Sequence, residues 1–374
     1  MSNYKKLGPF IREIDVRNTD LSVELLLGVS IDKTFINSHS NTIGTDFSSY
    51  KVVKRGQFAY GPVTSRNGDK ISIALLREAD SCLISSSYIS FEIIDTNLLD
   101  PEYLMMLFAN PEFDRYARYN SWGSAREVFS WDDLCDSVFY IPDIDEQHKL
   151  VEEFLAIKDS ISKSISFDNS IFELTKKILV ASYNDERLFK NQKISIKDFC
   201  EKVCSGATPS RTENSYWDSK DYPWLKNGEI KCNIITDTEE YISQKGYENS
   251  STKLIKPFSV NMAMYCVSDV QVSMNTIPIT SNQAVLNMQT DSFRKSCFLY
   301  FLLAAFGNEI TSTANGSAQQ NLSKDIIENY LFNEPILDNE FFDLFEAATK
   351  QRIAICNKIR SLEGLKLSLL KKIF

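Results

Sequence analysis

Two clusters in this sequence carry side chains able to grip and read a polyanion. The first is Lys51, Lys54, Arg55, Tyr60, Arg66, Asn67 and Lys70, in and after a stretch patterned as a hairpin. The second is Ser210, Arg211 and Thr212 after a Gly-Ala-Thr-Pro turn, with Trp224, Lys226 and Asn227 after Pro223. Arginine can bond guanine through paired hydrogen bonds, asparagine can do the same with adenine, and lysine neutralises phosphate. Tyr216, Trp217, Tyr222 and Trp224 supply ring faces that could stack on or wedge against bases, although aromatic residues more often fill sheets. For any single residue of the first cluster, a solvated hairpin face is the plainer use of the charge. Arg126, in the segment GSAREVFS, joins the candidates because that loop lies at a domain boundary beside a long helix.

Catalytic chemistry is poorly supplied. The chain has 2 histidines, His39 in a polar loop and His148 one turn into a helix. The tetrapeptide at 110–113, Asn-Pro-Glu-Phe, puts glutamate where an amino-methyltransferase motif needs a second proline, and it reads as a helix terminator. Neither a GxxxxGK[ST] loop nor GxGxxG occurs. The 8 cysteines include no CxxC pair, and Cys200, Cys204 and Cys232 with a histidine match no standard zinc spacing, so they read as reduced thiols. No catalytic residue, metal site or cofactor site is expected in this chain.

What must position the two clusters is a pair of long helices. After Pro142, Asp143 and Asp145 offer acceptors to a helix start and Glu146 stands where a capping box needs it. Leu150, Phe154, Ile157, Ile161 and Ile165 then recur at steps of three and four, and Ile171, Leu174 and Ile178 resume the pattern. From Pro335 the design returns, with Phe345, Ile355, Ile359, Leu362 and Leu369 on the seam and Arg352 and Lys366 interrupting it. Upstream, GSAREVFSWDDL from Gly123 resembles GSAQQNLSKDII from Gly316, at the same offset that separates the two prolines. The chain is a tandem repeat.

Between these supports lie short apolar runs broken by turn signals, read as strands. The runs of the two halves share character but little sequence, so like supports carry unlike surfaces. The expected architecture is mixed α/β (α+β): two globular domains joined by two long antiparallel, coiled-coil-like helices, related by a pseudo-two-fold repeat. The boundaries are 1–141 for the first domain, 142–184 for the first helix, 185–334 for the second domain and 335–374 for the second helix. A helix from Glu146 to Ser182 would span ~55 Å at ~1.5 Å per residue. That reach suits a duplex whose half-sites lie ~34 Å or more apart.

Composition sets few further bounds. Hydrophobic residues at 43% and charged ones at 24% fit a globular protein of 374 residues with more than one core. The first ten residues lack the apolar core of a signal peptide, and the run from Phe298 to Phe306 is too short to span a bilayer, so a cytoplasmic location and no membrane partner are expected. The net charge of −9 argues against nucleic acid as a partner, but a groove binder needs only a local basic face.

In ordered combination, YKKLGPFIREIDVRN, KRGQFAYGP, GSAREVFSWDDL running into IPDIDEQHKLVEEF, SGATPSRTENSYWDSKDYPWLKNGEI, TSNQAVL and GSAQQNLSKDII make the chain resemble the specificity subunits of type I restriction-modification systems over nearly its whole length. The resemblance implies a non-catalytic DNA-binding subunit of a defence system. It implies two target recognition domains, each reading half of a bipartite, asymmetric double-stranded DNA target, on helices that set the spacer and dock two copies of a methyltransferase subunit. It also implies a restriction/translocase partner, with S-adenosylmethionine, ATP and Mg bound by partner subunits. Glu146 and Gln147 are then candidates for partner contact. The second helix lacks that pair, because Pro335 is followed by ILDNEFFDLF. The competing reading is a two-domain protein-interaction scaffold without DNA recognition.

Overall fold

The computed structural model describes residues 3–38, 44–65, 67–68, 70–123, 126–265, 270–312 and 323–373. The chain divides into two compact units, Met1–Ile161 with Leu362–Phe374 and Ser162–Ser361. Both long helices contribute to both units.

In chain order the first unit holds β1 (Tyr4–Lys6), β2 (Ile11–Ile14), β3 (Leu27–Val29), β4 (Phe35–Asn37), β5 (Lys51–Lys54), β6 (Phe58–Gly61), β7 (Ser72–Leu75), β8 (Ser81–Ile84), β9 (Ile89–Ile93), α1 (Pro101–Phe108), α2 (Pro111–Tyr119), α3 (Trp131–Asp136) and β10 (Val138–Tyr140). The long helix α4 (Ile144–Ser182) follows. Strands β2-β9-β6-β7 form an antiparallel sheet, while β3–β4, β5–β8 and β1–β10 are separate antiparallel pairs. Side chains alternate across a strand. Phe58, Tyr60, Ile73, Leu75 and Phe91 therefore enter the core shared with α1 and α2, and Ala59, Ala74, Cys82 and Ile84 enter a smaller one with Val29 and Val53.

The helices begin where capping chemistry is available. Asp100 accepts the Tyr103 N–H ahead of Pro101, and Asn110 accepts the Glu112 N–H ahead of Pro111, so 110–113 ends one helix and starts the next. Asp143 accepts the Glu146 N–H at 2.9 Å, while the Glu146 carboxylate takes the Tyr140 hydroxyl at 3.2 Å.

The second unit contains β11 (Phe189–Ser195), α5 (Ile196–Phe199), β12 (Lys202–Ser205), β13 (Tyr222–Leu225), β14 (Ile234–Ile235), β15 (Glu240–Ile242), α6 (Gln244–Glu248), β16 (Val260–Ala263), β17 (Val272–Asn275), β18 (Thr280–Ser281), β19 (Val285–Gln289), α7 (Phe293–Ser312), α8 (Lys324–Glu328), β20 (Leu331–Pro335) and α9 (Asp343–Lys372). Its main sheet runs β12-β19-β16-β17-β14, antiparallel except for the parallel β14–β17 pair, and a smaller sheet runs β15-β13-β18. Val260, Met262, Met274, Leu286 and Met288 share a core with Phe298 and Phe301 of α7. The opposite face buries Asn261, Asn275 and Asn287, which bond to one another or to backbone: Asn261 Nδ2 to Asn275 Oδ1 at 3.1 Å and Asn287 Nδ2 to the Cys204 carbonyl at 3.1 Å.

The repeat survives as structure in the supports. β1–β10 and β11–β20 are equivalent antiparallel pairs, and Ser130 and Ser323 cap α3 and α8. The sheets differ in strand number and sense. The helix seam departs from its expected course. Phe154, Ile161, Phe345, Ile355 and Leu369 are buried, and Leu150, Ile157, Ile359 and Leu362 are half-buried. Ile165 and Leu174, however, face solvent at 47% and 61% exposure, because past Ile161 the buried stripe passes through Ser164, Phe172, Thr175 and Leu179. Arg352, expected to interrupt the seam, is part of it at 2% exposure. Pro335 closes β20, and α9 begins at Asp343.

The helices are antiparallel within each unit. In the first, Val151 and Phe154 share a core with Leu369, Leu370 and Ile373. In the second, Asp168 meets Arg352, and Phe172 and Leu179 share a core with Phe345 and Phe342. Among the described residues no helix is long and apolar enough to cross a membrane.

Candidate nucleic-acid interface

In the second unit the loop after β12 turns on Gly206, where an added Cβ would sit 2.0 Å from the Ser281 carbonyl oxygen. Only glycine allows that approach. The turn delivers Arg211 onto two indole rings, its guanidinium 3.6 Å from the Trp217 centroid and 4.8 Å from that of Trp224. Arg211 also donates to Glu240 at 2.6 Å, and Lys226 bonds Glu239 at 2.6 Å and Glu240 at 3.1 Å. Burial alone would raise the Glu240 carboxyl, but the hydrogen bonds from Arg211 and Lys226 overcome it and hold the group below the usual carboxylate range. Ser210 and Thr212 share a hydroxyl bond at 2.8 Å, and the Trp217 indole donates to the Ser210 carbonyl at 3.0 Å.

The structure therefore gathers Ser210, Arg211, Thr212 and Lys226 on one face. Trp224 is corrected from ring-face candidate to core: it is 2% exposed, with its indole bonded to the Ala207 carbonyl at 3.1 Å. Asn227 stands apart, its amide bonded to the Tyr265 carbonyl at 3.0 Å. Glu239 and Glu240, which organise the cluster, carry no signal in the spacing of the basic residues.

The first cluster separates into three. Lys54 and Arg55 sit on the tight β5–β6 turn, where Gly56 adopts φ +83°. Lys54 is exposed, and Arg55 bonds the Arg77 carbonyl at 2.7 Å and Asp80 at 2.9 Å. Lys70 is exposed beside Asp32 at 3.3 Å, and Asn67 closes its own turn by bonding the Val63 carbonyl at 3.2 Å. Lys51 and Tyr60 leave the surface altogether. Lys51 is buried with its ammonium 3.6 Å from Asp15, and Tyr60 lies in the core with its hydroxyl donating to the Phe129 carbonyl. Both lie on strand positions whose side chains turn inward, which removes them from contact with a ligand. Arg66 falls outside the described residues.

Arg126 is exposed on a hairpin whose bridges join Val128 to Trp122 and to Val63. Gly123, at φ +146°, permits the closure, since a Cβ there would meet the Arg126 carbonyl oxygen at 2.1 Å. Beside it the chain exposes two aromatic residues that sequence patterning overlooked, Tyr119 at 79% and Trp122 at 66%, with Arg118 one residue before Tyr119. Arginine next to exposed rings is a pairing suited to nucleic acid.

The partner-contact pair also divides. Glu146 is exposed, but Gln147 is fully buried: its amide donates to the carbonyls of Leu98 and Pro142 at 2.9 Å each, and its oxygen accepts the Asp100 N–H at 2.9 Å. Gln147 is thus a bracket holding the start of α1 to the start of α4, unavailable to a partner. The first unit also contains a cleft of about 1050 Å³ bounded by the β3–β4 connection, α1, α2 and the unit's own segments of α4 and α9, with Phe154, Leu155 and Leu370 on its floor. There Lys158 is pushed below its ordinary range by burial, then by the nearby Arg77 charge, with Lys366 adding to the effect. Among the described residues no group of three or more His, Cys, Asp or Glu could hold a metal ion.

Residues 190–361 match the family model described as Type I restriction modification DNA specificity domain. A curated relative, the Type I restriction enzyme EcoR124I/EcoR124II specificity subunit of Escherichia coli, is 24% identical over 197 residues, which cover 50% of this chain and 49% of the relative. The matched region thus spans about half the length of that relative. Among solved structures, the S subunit of a Type-I restriction-modification system from M. genitalium aligns with a TM-score of 0.50 at 12% identity, covering 99% of this chain and 95% of that one. The HsdS subunit from Thermoanaerobacter tengcongensis aligns at 0.43 and 13% identity, covering 99% and 95%.

Proposed function

We infer that this chain is a type I restriction-modification specificity subunit that selects DNA for other subunits to act on. Residues 1–141 and 185–334 act as two target recognition domains, each reading one half of a bipartite, asymmetric duplex. The segments 142–184 and 335–374, which carry α4 and α9, fix the distance between the half-sites and carry two copies of a methyltransferase subunit, to which a restriction/translocase subunit adds. S-adenosylmethionine, ATP and Mg are bound by those partners, catalysis belongs to them, and the complex works in the cytoplasm.

The observation that carries this reading is the contrast between the units: equivalent strand pairs, equivalent serine-capped helices and a shared pair of long helices support sheets of different strand order. Two different surfaces on one kind of mount are what two different half-sites require. The Arg211–Lys226 face, and Arg126 with Trp122 and Tyr119, supply phosphate-binding and stacking groups at those surfaces. Glu146 and the cleft around Lys158 are the proposed docking side, where an acidic group of the methyltransferase would find a basic partner in Lys158.

The test is reconstitution with the methyltransferase subunit. A bipartite duplex should bind with an affinity that falls steeply as salt rises, because phosphate contacts release counterions. Absence of any sequence preference at every ionic strength would overturn the reading. Undiminished function after neutralising Arg55, Arg66 and Arg211 together would favour the protein scaffold instead, a reading motivated by the net charge of −9. Methyl-donor binding by the purified chain alone would return catalysis to it.

A further inference from the structure

Arg352 is the most buried charged group of the helix pair, and two of its hydrogen bonds leave the helices. Its Nε and Nη2 grip both oxygens of Asp168 on α4, each at 2.8 Å. Nη1 bonds the Tyr300 hydroxyl of α7, and Nη2 reaches the Cys232 carbonyl at 3.0 Å. The Tyr300 hydroxyl donates to the same carbonyl at 2.7 Å, and the guanidinium lies 4.5 Å from the centroid of Phe172. One side chain thus ties α4, α9, α7 and the segment entering β14, the edge strand of the main sheet.

Two features separate this cluster from ordinary packing. Cys232 has φ +57°, a left-handed conformation rarely adopted by a residue with a β-carbon, and its carbonyl is held from two sides. The nearest seam residues offer little to set a register. Phe172, Leu179, Phe345 and Ala348 are apolar, and the buried hydroxyls of Thr175 and Thr349 bond back into their own helices. Apolar seams tolerate slippage, whereas a single buried polar contact selects one phase. A slip of one helical turn, ~5.4 Å, exceeds the ~3.4 Å rise of one base pair.

We propose that Arg352, paired with Asp168, is the register key of the helices: a positioning residue that fixes the phase of α9 against α4 and transmits it to the recognition sheet through the Cys232 carbonyl. The cluster governs which half-site spacing is accepted rather than which bases are read. This rests on the reading of the helices as the spacer of a bipartite target.

The experiment uses the full chain with its methyltransferase and maps methylated sites on DNA carrying the two half-sites at the native spacing and at one base pair more or less. The double substitution Asp168→Leu with Arg352→Met replaces the ion pair with apolar groups and leaves no charge stranded. The expected result is unchanged half-site sequences with discrimination between spacings reduced about tenfold. Unchanged discrimination by the folded double variant overturns the proposal, as does a changed half-site sequence at unchanged spacing. Should that variant fail to fold, Tyr300→Phe decides the matter, since it removes one anchor and leaves the ion pair. A discrimination lowered about threefold supports the register role, and wild-type discrimination overturns it. If the unsubstituted complex recognises no bipartite site, the spacer reading itself fails.

Discussion

Glu240 holds two of the basic residues proposed to meet DNA, and its state should be visible without DNA. Its folded pKa is depressed, so its contribution is complete above the ordinary glutamate value of about 4.3 and is lost as pH falls through the lower folded value. Acidification through that window should release Arg211 from the Trp217 face and change tryptophan emission. The step should vanish in Glu240→Gln, and its persistence there would assign it to another group. A second residue-scale expectation concerns Tyr60. Removing its hydroxyl with Tyr60→Phe strands the buried Phe129 carbonyl and should cost roughly 1–2 kcal/mol in denaturant unfolding, with the fold retained. At this scale residue chemistry was legible and orientation was not. Lys51 and Tyr60 have suitable side chains for nucleic acid, but strand alternation turns both inward. Conversely, Tyr119 and Trp122, which no sequence pattern singles out, are exposed.

Among the elements, the long helices show why periodicity succeeds and where it stops. The apolar stripe from Leu150 to Ile157 is a true seam, because it packs on an apolar core. Beyond it, a reading that follows apolar residues selects Ile165 and Leu174, whereas the structure buries Ser164, Thr175 and Arg352, the last paired with half-buried Asp168. Polar seams are invisible to a hydrophobic pattern because their burial depends on partners distant in sequence. Two substitutions test the helices directly. Gly364 lies inside α9 with open space where a Cβ would stand, so Gly364→Ala should raise stability by about 1 kcal/mol in chemical denaturation. Phe154→Ala, which empties a place in the first core, should lower it by about 3–5 kcal/mol. Equal effects of the two would contradict the seam assignment.

Over the whole molecule, the repeat and its unlike halves could be read from Gly123 and Gly316 and from the two prolines, but the way the chain closes each unit could not. Leu369, Leu370 and Ile373 enter the core of the first unit, and the Asn110 amide caps the Leu370 carbonyl at 3.0 Å. A side-chain hydrogen bond to a carbonyl at a distant helix end leaves no pattern in sequence. Truncation after Ser361 should therefore lower the unfolding temperature of the first unit and leave that of the second in place. Hydrogen exchange should then show protection lost in β6, β7 and β9 but kept in β16, β17 and β19. A uniform loss would mean that the units do not fold separately.

That closure also bears on how the protein is made. A ribosome releases the first unit's sheet early, but the residues that seal its core emerge from the exit tunnel only after the second unit has been synthesised. A nascent chain stalled midway therefore displays an unsealed apolar surface to chaperones and proteases until the last turns of α9 reach it.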